Sequence, residues 1–129
     1  MEKLTIKDIA KMAGVSHTED GYRTGLAYFT RCIKAKKSIA TGILCISDHF
    51  ALGVMQAAVE TGVDIPGQIS LIGFDDVSFA SLPKIQLTTI SQPKEEICDA
   101  AVRTLEELIR ADGPVSVSCK NIQPVLVRR

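Results

Sequence analysis

Ile69-Ser-Leu-Ile-Gly-Phe-Asp-Asp76 is a short apolar run that ends abruptly in two carboxylates. A run of this length and composition reads as a strand buried on both faces, the kind found in parallel sheets. Thr41-Gly-Ile-Leu-Cys-Ile46 upstream has the same character, and Leu87–Ser91 downstream predicts a third, briefer strand. Around these runs the apolar residues recur at helical spacing. Tyr22, Leu26, Phe29 and Ile33 predict an amphipathic helix over 20–37, which Gly21 and Gly25 weaken. Ala51, Val54, Met55 and Ala58 face one way on a second helix, which Asp48 can cap and Gly62 ends. Phe79, Ala80 and Leu82 predict a short helical turn before Pro83. Pro93 opens a further helix marked by Ile97, Ala101, Leu105 and Leu108, and Asp112-Gly-Pro114 stops it. Residues 115–127 are extended and interrupted by Pro124, so they predict in part an edge strand.

Strands alternating with helices define an α/β fold: a parallel sheet with helices on both faces. In such sheets ligands gather at the carboxyl ends of the strands. Here those ends carry Ser47-Asp48, Asp75-Asp76 and Ser91-Gln92. Two readings of these clusters stand side by side. They form a ligand-binding edge, or Asp48 caps a helix and Asp75-Asp76 turn a loop.

A short helical segment, residues 1–18, precedes the α/β unit of residues 19–129. Thr5 can cap its first helix, on which Ile6, Ile9, Ala10 and Ala13 share a face. Gly14 ends that helix, and Ser16 can cap another. The chain has 129 residues and zero formal net charge, so it has no overall attraction to nucleic acid or membrane. Residues 1–37 nevertheless carry net +4 and the remainder net −4. A nucleic-acid-facing end is one reading of that asymmetry; a solvated helix with lysines at its C-terminal end is the more ordinary one. Cys32, Cys45, Cys98 and Cys119 sit among apolar neighbours without a C-x-x-C pair, which predicts buried free thiols and a reducing, cytoplasmic setting. No signal peptide or membrane span is visible.

Several motifs together resemble one family. Ile43-Leu-Cys-Ile-Ser-Asp-His-Phe-Ala-Leu-Gly-Val54, then Val63-Asp-Ile-Pro66, Ile69 through Asp76, Pro83 with Leu87-Thr-Thr-Ile-Ser-Gln-Pro93, and the tail Leu126-Val-Arg128 occur in the order seen in lactose-repressor (LacI/GalR) regulators. Leu4 through Ser16 resembles the opening of that family's helix-turn-helix headpiece, and His17-Thr18 the first residues of its recognition helix. The pattern then breaks. Glu19-Asp20-Gly21-Tyr22 resembles a segment late in the sensor domain, as if the middle of a family chain were missing.

The resemblance implies one subdomain of a periplasmic-binding-protein-like type I fold, and a transcription regulator that responds to a small effector. Its effector contacts would fall on Ser47 (where Asn is usual), Asp75 and Gln92, with Asp48 and Asp76 beside them. Carboxylates and amides suit the hydroxyls of a sugar or nucleoside. Thr5 would touch phosphate, and Ser16, His17 and Thr18 would enter the groove of operator DNA. Leu52, Met55, Phe79 and Leu82 would map near a homodimer interface or serve as ordinary core. Glu19 and Asp20 oppose DNA binding, so a ligand-binding or dimerisation module without DNA activity is the competing reading. No cofactor, metal site or enzyme activity is expected: His17 and His49 are the only histidines, and no P-loop, dinucleotide fingerprint or nucleophile elbow is present. A phospho-receiver is disfavoured because neither Lys84 nor Lys94 follows a strand in the required way.

Overall fold

A computed structural model describes residues 18–111, 113 and 119–129. In chain order these form α1 (Thr18–Lys34), β1 (Gly42–Leu44), α2 (Asp48–Thr61), β2 (Ser70–Phe74), a 3-10 turn (Ser78–Ser81), β3 (Thr88–Ser91), α3 (Lys94–Arg110) and β4 (Val125–Val127). The four strands make one sheet in the order β1-β2-β3-β4. β1, β2 and β3 are parallel, with Ile43 opposite Leu71 and Gly73 opposite Thr89. β4 joins antiparallel, with Leu126 opposite Ile90. The sheet is therefore mixed, and its parallel part is the part that the strand–helix alternation predicts. β4 is the edge strand expected near the end of the chain. It begins directly after Pro124, where a missing N–H is tolerated.

The register assigns the faces. Ile43, Leu71, Gly73, Thr89 and Val127 share one; Leu44, Ile72, Phe74, Ile90 and Leu126 share the other. α1 and α2 build the core on the first, where Phe29, Ala51, Val54, Ala57, Ala58, Leu71 and Leu87 cluster. Helices are expected on both faces, and here the structure differs. Among the described residues the second face is open: Ile72, Phe74 and Ile90 are half-buried, and Leu44 is 68% exposed. α3 has the predicted apolar stripe but no buried residue. Leu105 on that stripe remains 58% exposed. A stripe at helical spacing specifies a helix; it does not supply the surface that the stripe covers. The cysteines divide in the same way. Cys32 and Cys45 are buried as expected, whereas Cys98 on α3 and Cys119 are exposed.

Ser47, not Asp48, is the cap of α2: its Oγ accepts from the Phe50 N–H at 3.2 Å. Gly62 closes the helix in a left-handed conformation (φ 72°) that any side chain would strain. The packing of α1 on α2 depends on glycine for a different reason. A Cβ at Gly53 would lie 2.0 Å from the Thr18 carbonyl oxygen, and one at Gly21 would lie 2.1 Å from that of Phe50. The glycines that weaken α1 as an isolated helix thus allow two backbones to touch. Tyr22 closes the margin, donating its hydroxyl to Glu60 at 2.6 Å.

Gly53→Ala is expected to push α1 from α2 and lower stability by about 1–3 kcal/mol, the usual cost of overpacking. Urea unfolding of the two chains measures it, and equal midpoints would contradict the backbone contact.

Candidate functional site

The parallel strands deliver three polar segments to one edge of the sheet, and the structure ties two of them together directly. Gln92, just past β3, donates its side-chain amide to Asp75 Oδ1, just past β2, at 2.8 Å. Both residues are half-buried. Lys94 Nζ, in the first turn of α3, donates to the Asp75 carbonyl at 2.8 Å. The Asp75 N–H is held by the Ile90 carbonyl at 2.9 Å.

The turn that presents Asp75 is strained. Asp75 and Asp76 have φ of 106° and 49°, two successive left-handed residues that are not glycine. Each such residue costs of order 1–3 kcal/mol and persists only where its surroundings hold it. Asp76 is held by an ion pair: Arg129 Nη2 lies 2.7 Å from Asp76 Oδ1. Hydrogen bonding from Arg129, with a smaller contribution from Ser91, keeps the Asp76 carboxyl below its ordinary pKa against the opposing effect of burial.

Asp48 occupies a different place from the one its sequence position suggests. It has no exposed surface. Oδ1 accepts from the Thr89 hydroxyl at 2.5 Å, and Oδ2 accepts from the Val77 N–H at 2.9 Å. A Cβ at Gly73 would lie 2.1 Å from Oδ1, so glycine in the middle of β2 makes room for this carboxyl. With no exposed surface and both oxygens engaged, Asp48 forms part of the framework beneath the edge. It links the start of α2, the loop after Asp76 and β3. Burial, and then the Asp48 charge, push the neighbouring Cys45 thiol up to about 11, which makes it a poor nucleophile near neutral pH.

The other expected residues have differing surroundings. Ser47 is half-buried and its hydroxyl is committed to capping. Met55 packs partly buried against the core, and Leu52 is half-buried. Phe79 meets the His49 ring edge-on at a centroid distance of 5.0 Å, whereas Leu82 is 50% exposed. Thr5, Ser16 and His17 lie outside the described residues. Thr18 opens α1, with its carbonyl against Gly53. No group of three or more metal-ligating side chains occurs among the described residues, and no described helix is long and apolar enough to cross a membrane. Sequence reasoning missed Thr89, Lys94 and Arg129. Thr89 lies in the Leu87–Pro93 motif, and its place opposite Gly73 fixes its orientation; nothing local marks Arg129, whose partners are more than forty positions away.

This edge can receive hydroxyl groups, since Asp75 and Gln92 together offer acceptors and donors in one place. Cavities among the described residues lie along the outward side of α1, between α1 and Phe50, and beside Pro93–Glu96.

Comparison with known proteins decides the family, because a periplasmic binding protein-like domain matches residues 2–129. The chain belongs to that domain family, in the form carried by LacI-family regulators. It is 37% identical over 94 residues to the HTH-type transcriptional regulator MalR of Clostridium butyricum, an overlap of 71% of this chain and 28% of that protein. It is 33% identical over 129 residues to the HTH-type transcriptional repressor PurR of Haemophilus influenzae, covering 98% of this chain and 37% of the repressor. A LacI-family regulator from Lactobacillus casei with bound sucrose superposes with a TM-score of 0.68 at 25% identity, covering 89% of this chain and 40% of that one. The chain thus spans between 28% and 40% of the length of these relatives.

Asp76 has a depressed pKa in the folded chain, so its ion pair contributes stability above the unfolded aspartate pKa of about 3.9 and loses it as pH falls through the folded value. Urea unfolding of the native chain and Asp76→Asn between neutral and acidic pH should show a gap that is full near neutrality and closes below that range. A gap independent of pH would contradict the assignment.

Proposed function

We propose that this chain is the effector-sensing subdomain of a LacI-type transcriptional regulator, and that its strand-end edge binds a sugar or nucleoside through Asp75 and Gln92. The observation that carries this reading is the Asp75–Gln92 hydrogen bond, which joins the ends of two adjacent parallel strands where α/β sheets take ligands. Asp76 and Ser47 lie at the flank of the site, and Asp48 supports it from below. The sucrose-bound Lactobacillus casei structure, similar in fold, supports the hydroxyl-rich class of ligand. In a regulator, occupation of this edge changes operator affinity through a coupling free energy between the two sites. The exposed Leu82, with Phe79, Leu52 and Met55, is the surface we assign to pairing of two copies in the cytoplasm.

Operator contacts through Thr5, Ser16, His17 and Thr18 form the second half of the reading. A specific observation favours the narrower alternative, a ligand-binding or dimerisation module that does not touch DNA. Thr18 begins the helix that packs on α2, and its carbonyl stands close against Gly53.

Thermal unfolding with sucrose, glucose, maltose, inosine and guanosine tests the reading. One class is expected to raise the transition; at a concentration tenfold above Kd the gain is about 1.4 kcal/mol. Asp75→Asn should abolish it. No shift with any of the five would overturn effector binding.

A further inference from the structure

We infer that Arg129 is a positioning residue for the effector edge: it holds the Asp75-Asp76 turn in its left-handed conformation and so aims the Asp75 carboxyl at Gln92. This rests on the effector reading above, but its physical basis is independent of any ligand. The turn contains two successive positive-φ aspartates. Backbone bonds steady its two sides: the Asp75 N–H on the Ile90 carbonyl and the Val77 N–H on buried Asp48. Asp76 lies between them, and its side chain is gripped by Arg129, just past β4.

That grip is anchored at several points. Nη2 meets Asp76 Oδ1 at 2.7 Å, and Nη1 donates to the Leu87 carbonyl at 3.0 Å. The Arg129 N–H donates to Thr88 Oγ1 at 3.1 Å. The Thr88 hydroxyl lies 3.2 Å from the Arg129 carbonyl, the acceptor. One planar guanidinium therefore ties the turn after β2 to the start of β3 and to the residues after β4. The two side chains of the ion pair are 16% and 23% exposed, so water competes only in part. A lysine would carry the charge but not the two-pronged geometry. Without the grip, the strained aspartates relax toward ordinary backbone conformations, and Asp75 leaves Gln92.

Nuclear magnetic resonance of the whole chain tests this with the native protein, Arg129→Gln, Arg129→Lys and, from the other side of the pair, Asp76→Asn. In the native chain, Asp75 and Asp76 should show the strong intraresidue HN–Hα Overhauser effect of positive φ, and the Gln92 side-chain amide should be shifted from its free position. Arg129→Gln and Asp76→Asn should lose both. Arg129→Lys should keep the Asp76 carboxyl titrating low without restoring the turn. A folded Arg129→Gln chain with the Asp75, Asp76 and Gln92 signals of the native protein would overturn the inference. A native chain without the positive-φ signature would overturn it as well. Addition of sucrose or inosine at about 50 mM then separates the two claims. Native binding should weaken about tenfold in Arg129→Gln. Equal affinity in the two chains would overturn the inference. A native chain with the turn signature and no response to either probe overturns the effector reading while the positioning role stands on the variant spectra.

Discussion

A carboxyl group with no exposed surface sits at the junction of the elements that make this fold useful. Asp48 begins α2, takes a hydrogen bond from Thr89 in β3 and another from the backbone of Val77. Burying such a group costs free energy unless its acceptors are satisfied, so each of these bonds is a requirement and not an ornament. The requirement propagates. Gly73 has to lack a Cβ, Thr89 has to present a hydroxyl, and the loop after Asp76 has to return its N–H to the interior. The positions of Asp75 and Asp76 at the sheet edge follow from that last constraint together with the Arg129 ion pair.

The helical layer obeys a second constraint of close approach. α1 meets α2 through Gly21 and Gly53, where backbone stands against backbone. This brings Phe29 into the same cluster as Val54 and Leu71. The opposite face of the sheet and the stripe of α3 obey no comparable constraint among the described residues. Phe74 and Ile90 remain half-buried there, and α3 buries nothing. The chain spans only a part of its relatives' length, and these apolar surfaces are where the described fold is least closed.

What could be read from residues alone divides along physical lines. The three parallel strands were legible because their apolar runs are continuous, and the helices because their stripes are periodic. The edge pair Asp75 and Gln92 was legible because strand ends in α/β sheets gather polar groups. Asp48 lies at the edge its position predicts, but the cap of α2 is Ser47. Ser47 is as good a cap, and only the opposing Gly73 and Thr89 reveal that the carboxyl turns inward. Arg129 was invisible, since its partnership with Asp76 spans more than fifty positions and depends on β4 running antiparallel. The open second face was likewise illegible: a pattern states which residues need cover, not whether cover is at hand.

Hydrogen exchange at the Val77 amide addresses the Asp48 junction most directly. Val77 belongs to a loop, where an amide ordinarily exchanges quickly; bonded to a buried carboxyl, it opens only when the junction does. The account predicts protection at Val77 comparable to that of Leu71 and Thr89 in the central strands, with Thr89→Val weakening it without unfolding the chain. Exchange at Val77 as fast as in an exposed loop, while the strands remain protected, would contradict it.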